Sequence, residues 1–338
     1  MPKTPRYLAG LDLGSSLTRC VVGVEESGRL RCVSYGAARS GGWKKGMIVD
    51  ADAVVQSIEQ AVTEAEANAG LNVESAVAGV GATVNSVGSR AGIPLPAGFP
   101  IERSHLAAAV KEATRAELGD DRMLLQAIPL EFAIDGHDGI RNPLGMTGRT
   151  LEAQIRILTA STQAHVNVTT AVNRAGIVVE ETIFEPFAAA MAAIGEQDRQ
   201  IGVALADMGA ASTDVVVYLD DQLRAAVSIP IGGDHFSRDV SYVLRTPEAD
   251  AERLIHQYGC AVAEMTAENS RIEVPSAAQE KAPRDASRRK LNTIIEARAE
   301  DLFSYVQKEL ARAGVDGQLI AGVVLNGGLA RMTGLADL

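Results

Sequence analysis

Apolar and polar positions follow two rhythms along this chain, and the switches between them mark out its elements. From Ala51 to Ala69 the residues Val54, Val55, Ile58, Ala61 and Val62 recur at the spacing of one helical face, and Gly70 closes the run. Val73–Gly81 reads as a strand. Val166–Ala175 is a second helical stripe, closed by Gly176, with a strand over Ile177–Phe184 and a helix over Pro186–Ile194 behind it. Ile201–Asp207 opens a further strand, and the pattern predicts a helix from Leu291 to Ala313. Strands alternating with helices in this way predict an α/β fold.

From roughly Thr83 to Ala160 the texture changes to shorter elements, with turn-rich breaks at Gly92–Pro100 and Asp135–Gly148 around an amphipathic helix over Glu102–Leu118. This stretch reads as a module inserted between two parts of a first lobe. The second lobe opens at Ile201, and within it Glu273–Lys290, charged and broken by proline, reads on composition as a solvated loop.

At 338 residues the chain is long enough for two domains or more. Its 46% hydrophobic and 22% charged content is that of a soluble globular protein, and no run of about 18 apolar residues is present to span a membrane. Met1-Pro2-Lys3-Thr4-Pro5-Arg6 lacks the apolar region of a secretory signal. Cys20, Cys32 and Cys260 are odd in number and unclustered, which fits reduced thiols better than disulfides or a zinc site. A net charge of -11 disfavours nucleic acid as a partner.

The candidate chemistry lies in two segments with the same grammar. Leu11-Asp12-Leu13-Gly14-Ser15-Ser16-Leu17-Thr18 leads into the β-rich Arg19–Val24, and Ala206-Asp207-Met208-Gly209-Ala210-Ala211-Ser212-Thr213-Asp214 leads into Val215–Leu219. Each predicts a hairpin with a carboxylate at its mouth. Two such hairpins facing each other would offer backbone N–H groups and hydroxyls to phosphates. Asp12 and Asp207 would hold Mg²⁺ through its water shell, since that ion binds one or two carboxylates and keeps its waters. A single Asp-x-Gly turn is commonplace; a matched pair opening each half of the chain is not. A third turn, Val323-Val324-Leu325-Asn326-Gly327-Gly328-Leu329-Ala330, follows another apolar strand.

The three turns together resemble the nucleotide cleft of the actin, Hsp70 and sugar-kinase superfamily, in which the third lies against adenosine. More particular runs resemble the FtsA family of bacterial actin-like cell-division proteins. These are Gly46-Met47-Ile48-Val49-Asp50, Gln126-Ala127-Ile128-Pro129-Leu130-Glu131-Phe132, Asp138-Gly139-Ile140-Arg141-Asn142-Pro143-Leu144-Gly145-Met146, Ile231-Gly232-Gly233-Asp234-His235 with Leu244-Arg245-Thr246-Pro247, and Glu273-Val274-Pro275-Ser276 with Arg288-Arg289-Lys290-Leu291. The likeness runs from about Tyr7 to the last residue.

That resemblance implies a two-lobed actin-like (ribonuclease H-like) ATPase fold, α/β, with an inserted α+β subdomain in the first lobe. Residues 1–82 and 162–200 would form the first-lobe core, and 83–161 the inserted subdomain for filament contacts and for meeting later division proteins. Residues 201–233 and 313–338 would form the second-lobe core, C-terminally incomplete, and 234–312 its outer subdomain, which in the family receives the C-terminal tail of FtsZ. Arg288, Arg289, Lys290 and Arg298 form a basic cluster there for that partly acidic tail, with Ile294, Ile295 and Leu302 facing either the groove or the core. The family polymerises, tethers FtsZ filaments to the cytoplasmic membrane during septum formation, and uses ATP and Mg²⁺. By carry-over, Gly14, Ser15, Ser16, Gly209, Ser212 and Thr213 would cradle phosphates, with Gly232 and Gly233 lining the cleft. Glu252 would bond the ribose, and Gly327 and Gly328 would pack under adenine. Glu185 either orients an attacking water or is a helix N-terminal acid favoured by the macrodipole.

Departures from the family pattern temper this. Ala210 and Ala211 put Cβ atoms into the second loop, at a strain of about 1 kcal/mol if either needs a positive φ. Ile255 stands where relatives carry a lysine, so that cation is lost unless Arg253 or His256 substitutes, and Asn326 replaces the usual Thr. ATP binding with slow hydrolysis is the expectation. The sequence stops at Leu338, ten residues after Gly328, so the family's amphipathic membrane-targeting helix is not in it; the chain as given is expected to be soluble and not to sediment with anionic vesicles. A type IV pilus actin-like scaffold and a phosphotransferase of the same superfamily are the competing assignments.

Overall fold

The computed structural model describes residues 6–26, 28–81, 84–115, 118–276 and 282–338. The expected subdomain boundary at 82/83 and the Met1–Pro5 segment lie outside them. The chain opens with three antiparallel strands, β1 (Arg6–Leu13), β2 (Leu17–Glu26) and β3 (Arg29–Arg39), and a small ribbon, β4 (Trp43–Lys44) and β5 (Met47–Ile48). Helix α1 (Ala51–Ala69) follows. Asp50 caps it by accepting the N–H groups of Asp52 and Ala53, and Gly70 ends it at φ +67°. Strand β6 (Ser75–Val80) then joins β1 in parallel.

The inserted stretch contains β7 (Asn85–Pro94), α2 (Arg103–Ala113), β8 (Arg122–Ile134), β9 (His137–Ile140) and β10 (Thr150–Ser161). The chain returns through α3 (Thr162–Arg174), capped by Ser161, to β11 (Val178–Phe184), which pairs in parallel with β6. Two helices, α4 (Glu185–Ala193) and α5 (Glu196–Ile201), lead into β12 (Val203–Met208), β13 (Thr213–Leu219) and β14 (Gln222–Ile229). Helices α6 (Gly233–Leu244) and α7 (Glu248–Tyr258), the hairpin β15 (Arg271–Val274) and β16 (Arg284–Ser287), α8 (Arg288–Arg312) and β17 (Val323–Asn326) complete the molecule.

The two lobes repeat one topology. In the first sheet the order is β11-β6-β1-β2-β3, and the second begins β17-β12-β13-β14. Each has a central strand with an antiparallel neighbour on one side (β1 with β2, β12 with β13) and a parallel one on the other (β6, β17). The second sheet then continues through β7, β10, β8 and β9. The inserted stretch is thus an insertion into the first lobe by chain order, while in space it extends the sheet of the second. The seam is narrow. Val227 pairs with Asn85, Ser228 N–H donates to Val84 O at 3.0 Å, and Ala226 N–H to Ser86 Oγ at 2.9 Å.

Strand β13 shows why the apolar pattern is continuous rather than alternating. Val215 and Val217 face one core, with α6 and α8, while Val216 and Tyr218 face the other, with the first lobe. A strand covered on both faces needs apolar residues throughout. The first core also takes in Leu158 and Ala160 of β10, and a third, smaller one lies beneath α2.

Helix boundaries differ modestly from the sequence expectation. Residues 288–290 belong to α8, because Ser287 caps the helix by accepting Lys290 N–H at 3.3 Å. The stretch expected as a loop is largely the β15–β16 hairpin, whose residues 277–281 lie outside those described.

Close packing of α1 on β3 depends on Gly36. A Cβ there would overlap the backbone of Ala61 and Ala65. Gly36→Ala is expected to destabilise the protein by about 1–3 kcal/mol, read as a lower urea midpoint. An unchanged midpoint would show that α1 can ride up without cost.

Candidate functional site

Hairpin register brings the acidic residues together. In the first hairpin Asp12 lies opposite Arg19 and Leu13 opposite Thr18; in the second Asp207 lies opposite Asp214 and Met208 opposite Thr213. Both mouths open between the lobes, where α4 begins with Glu185 followed by Pro186. Glu185 is half-buried, and the chain makes room for its carboxylate with glycine. A Cβ on Gly79 would overlap it, and one on Gly81 would lie 3.2 Å from Oε2.

Four carboxylates, Asp12, Glu185, Asp207 and Asp214, therefore share one field. Glu185 titrates well above the usual range, first through desolvation and then through the charges of Asp12, Asp214 and Asp207. Asp207 is pushed up to about 6 by desolvation and by Asp12, against the opposing effects of Arg19 and a hydrogen bond from Asn326. Arg19 is the cation in place, its Nη1 2.6 Å from Asp12 Oδ2. Like charges opposed across a hairpin destabilise it, so the donor set fits a divalent cation. Among the described residues no three acidic, histidine or cysteine side chains converge as direct ligands.

Asp214 had no place in the sequence expectations. It is a nearly buried charge in an apolar strand, and it accepts a hydrogen bond from Ser212 Oγ at 3.1 Å. The signal was its register: a seven-residue step across a tight turn puts it directly beside Asp207.

The loops around the carboxylates are braced. Ser40 Oγ donates to Gly14 O at 2.6 Å and Ser40 N–H to Ser16 O at 3.0 Å, while Ser15 is half-buried and Ser16 exposed. In the second loop Gly209 N–H donates to Ser212 O at 2.9 Å. Thr213 is fully buried and its hydroxyl donates to Ile231 O at 2.8 Å, so it fastens the loop to the segment that enters α6. Neither Ala210 nor Ala211 has a positive φ; the backbone accepts alanine there without left-handed strain.

Gly232 crosses this loop so closely that a Cβ would lie 2.6 Å from both Gly209 O and Ala210 O. Gly233 N–H and Asp234 N–H donate to those same two carbonyls at 3.0 and 2.8 Å. Gly327, at φ +88°, lies against the other side of the loop, where a Cβ would meet Asp207 Oδ1 and Met208 O at 2.6 Å; Gly328 follows it. Glu252 on α7 is half-buried and its charge reaches Asp234. Arg253 is paired with Asp250, and His256 lies exposed, 3.8 Å from Glu252.

Three of the four basic residues singled out in the outer subdomain already have partners within the chain. Arg288 Nε donates to Tyr258 O at 2.9 Å, Arg289 pairs with Glu268 at 2.8 Å, and Lys290 is exposed. Arg298 is held between Asp239 of α6 at 2.6 Å and Asp301 at 2.7 Å. Ile295 and Leu302 are fully buried and Ile294 packs partly on the same core.

Comparison with known proteins agrees with this architecture. Residues 204–338 match the family profile described as cell division protein FtsA, and residues 81–159 match the SHS2 domain inserted in FtsA. The chain is 34% identical over 335 residues to the cell division protein FtsA of Pseudomonas aeruginosa, covering 98% of this chain and 80% of that protein. Among solved structures, a PilM-PilN type IV pilus biogenesis complex superposes with a TM-score of 0.67 at 17% identity, over 99% of this chain and 85% of that one. MreB 5 of Spiroplasma citri bound to AMPPNP superposes with a TM-score of 0.55 at 14% identity, over 98% and 87%. The fold is the actin-like ATPase fold.

The raised Asp207 has a consequence for stability. An acid whose folded pKa lies above its unfolded value stabilises the fold at low pH and ceases to do so as pH rises through the folded value, here across roughly pH 4 to 6. With metal chelated, Asp207→Asn is expected to be more stable than the parent at pH 7.5 by about 1–2 kcal/mol, after discounting for the solvent that still reaches the group. The difference should shrink towards pH 4. Thermal unfolding across that range checks it, and a variant less stable at pH 7.5 would refute it.

Proposed function

This chain belongs to the FtsA family of cell division proteins, and from that premise we propose that it is an ATP-binding, self-assembling adaptor that links FtsZ filaments to the cytoplasmic face of the membrane at the division site. The observation that carries the nucleotide part of this reading is the carboxylate cluster between two glycine turns, one from each lobe. Asp12 and Asp207 would hold Mg²⁺ through water, and the ion would offset the charge of the phosphates. Ser15, Ser16 and Ser212 with the loop backbones would receive those phosphates. Glu252 would bond the ribose hydroxyls, and Gly327 and Gly328 would pack under adenine. Glu185, held well above the usual carboxylate range by desolvation and by the charges of Asp12, Asp214 and Asp207, would orient the attacking water, in keeping with a slow switch.

Residues 83–161 would serve filament contacts and later division proteins. Exposed Val87, Phe99, Leu144 and Met146 on this subdomain support such contacts. Residues 234–312 would receive the acidic C-terminal tail of FtsZ. Arg288, Arg289 and Lys290 occupy the first turn of α8, where the helix dipole disfavours cations, and a local cost of this kind is most often kept for a function. No helix among the described residues is long and apolar enough to cross a membrane; the attachment proposed here is the one the family makes through an amphipathic helix. The pilus scaffold shares the fold alone at 17% identity, and the 34% identity over nearly the whole chain favours division.

A fluorescence titration with a labelled FtsZ tail peptide tests the adaptor reading. Saturable binding is expected, weakened about tenfold or more by Arg298→Ala, as befits loss of a charge-assisted contact. Nucleotide binding without peptide binding would move the function to another actin-like scaffold. For the cleft, Glu185→Gln is expected to leave ATP affinity within about twofold and to lower phosphate release by about a hundredfold. Unchanged release would remove Glu185 from the chemistry.

A further inference from the structure

Arg298 differs from the other basic residues of the outer subdomain in being satisfied on two sides. Its Nε lies 2.6 Å from Asp239 Oδ2 on α6 and its Nη1 2.7 Å from Asp301 Oδ2 on its own helix. Its side chain is only 24% exposed, so solvent screens these contacts less than those of a free surface pair. Tyr242, one turn beyond Asp239, is 85% exposed, and Tyr305, two turns beyond Arg298, is 41% exposed. A guanidinium held by two helices that each carry an exposed aromatic, Tyr242 on α6 and Tyr305 on α8, suits a peptide bearing a carboxylate and apolar side chains. Each of the guanidinium's two forks, Nε–Nη2 and Nη1–Nη2, already holds an aspartate at one nitrogen. An incoming carboxylate therefore binds bidentately only by exchanging with one of the two aspartates.

The exchangeable aspartate is tied to the nucleotide cleft. Helix α6 begins at Gly233, whose N–H donates to Gly209 O, and Asp234 N–H donates to Ala210 O, both in the second loop. His235, in the first turn, accepts Gly232 N–H through Nδ1 at 3.2 Å, which requires the neutral ring; burial and the charges of Arg238 and Arg298 all favour that form. Asp239 is one turn further on, about 9 Å along the axis from Gly233. No flexible segment intervenes.

We infer that Asp239 is a built-in competitor at the acidic-peptide site: it occupies Arg298 until a peptide carboxylate displaces it, and α6 carries that exchange to the second phosphate loop, coupling peptide binding to nucleotide binding. This rests on the reading of the outer subdomain as the receptor of an acidic tail. The coupling is reciprocal, so the factor by which nucleotide changes peptide affinity equals the factor by which peptide changes nucleotide affinity. Asp301 keeps Arg298 paired when Asp239 is neutralised, so the fold tolerates the change.

The test is the peptide titration on the full chain, with and without Mg-ATP, for the parent, Asp239→Asn, Asp239→Ser, Arg298→Ala and Glu300→Gln. Glu300 is an exposed acid on α8 beside Asp301, and its removal controls for net charge. Asp239→Asn and Asp239→Ser are expected to bind at least about threefold tighter, Glu300→Gln to bind like the parent, and the ATP-dependent difference in peptide affinity to shrink in both Asp239 variants. Equal tightening in Glu300→Gln, no tightening at Asp239, or a parent affinity indifferent to ATP would overturn the inference while leaving an Arg298-dependent site in place. Binding unaffected by Arg298→Ala, or no binding by the parent, would overturn the underlying site assignment as well.

Discussion

Four carboxylates held within one another's field are the constraint around which this molecule is arranged. Such a cluster repels itself and is poorly solvated, so it persists only where the backbone fixes it from several directions. Asp12 and Asp207 are fixed by hairpin register, Asp214 by its pairing opposite Asp207, and Glu185 by the start of α4. Gly79 and Gly81 clear the space for Glu185, and Gly327 clears that beside Asp207. The duplicated topology of the lobes supplies the two hairpins in matching orientation. Desolvation and mutual repulsion push Glu185 and Asp207 towards protonation, and that electrostatic cost is what a divalent ion, if bound as proposed, would offset.

Much of this was legible in the sequence, because the signals are local. The Asp-x-Gly turns, the helical stripe of α1 with its Gly70 stop and the texture change near residue 83 all follow from chain-neighbour physics. Asp214 was missed although it lies in the motif, since its importance comes from cross-strand register rather than from spacing along one strand. The partners of Arg288, Arg289 and Arg298 were also invisible. Tyr258, Glu268 and Asp239 are 30, 21 and 59 residues away in sequence, and only the packing of α6, α7 and the turn before β15 against α8 brings them in. The possible strain at Ala210 and Ala211 was a fair question from sequence; the backbone answers it by keeping both out of the left-handed region.

The inserted subdomain illustrates the limit of reasoning by chain order. Its ends join β6 and α3, both first-lobe elements, yet β7 pairs with β14 of the second lobe. Leu158 and Ala160 at the end of β10 are buried in the first core. The subdomain therefore touches both lobes, through a sheet on one side and through apolar packing on the other. Gln222 Nε2 reaching Leu130 O and Arg141 Nη2 reaching Asp220 O add polar ties to the second-lobe hairpin.

That bracing bears on how the cleft can work. The first core is not confined to one lobe: Val203, Leu205 and Val216 of the second lobe lie in the same buried cluster as Leu11, Ala78 and Phe184 of the first. Wide separation of the lobes would expose this apolar surface at roughly 25 cal/mol per Å² and break the β7–β14 seam. Motions that keep this core closed would be small rotations, passed along α6, which is hydrogen-bonded to the second loop, and through β14, which pairs with β7. On the reading proposed above, a molecule built in this way would exchange nucleotide slowly and report its state at two remote surfaces, as an assembling adaptor would need to.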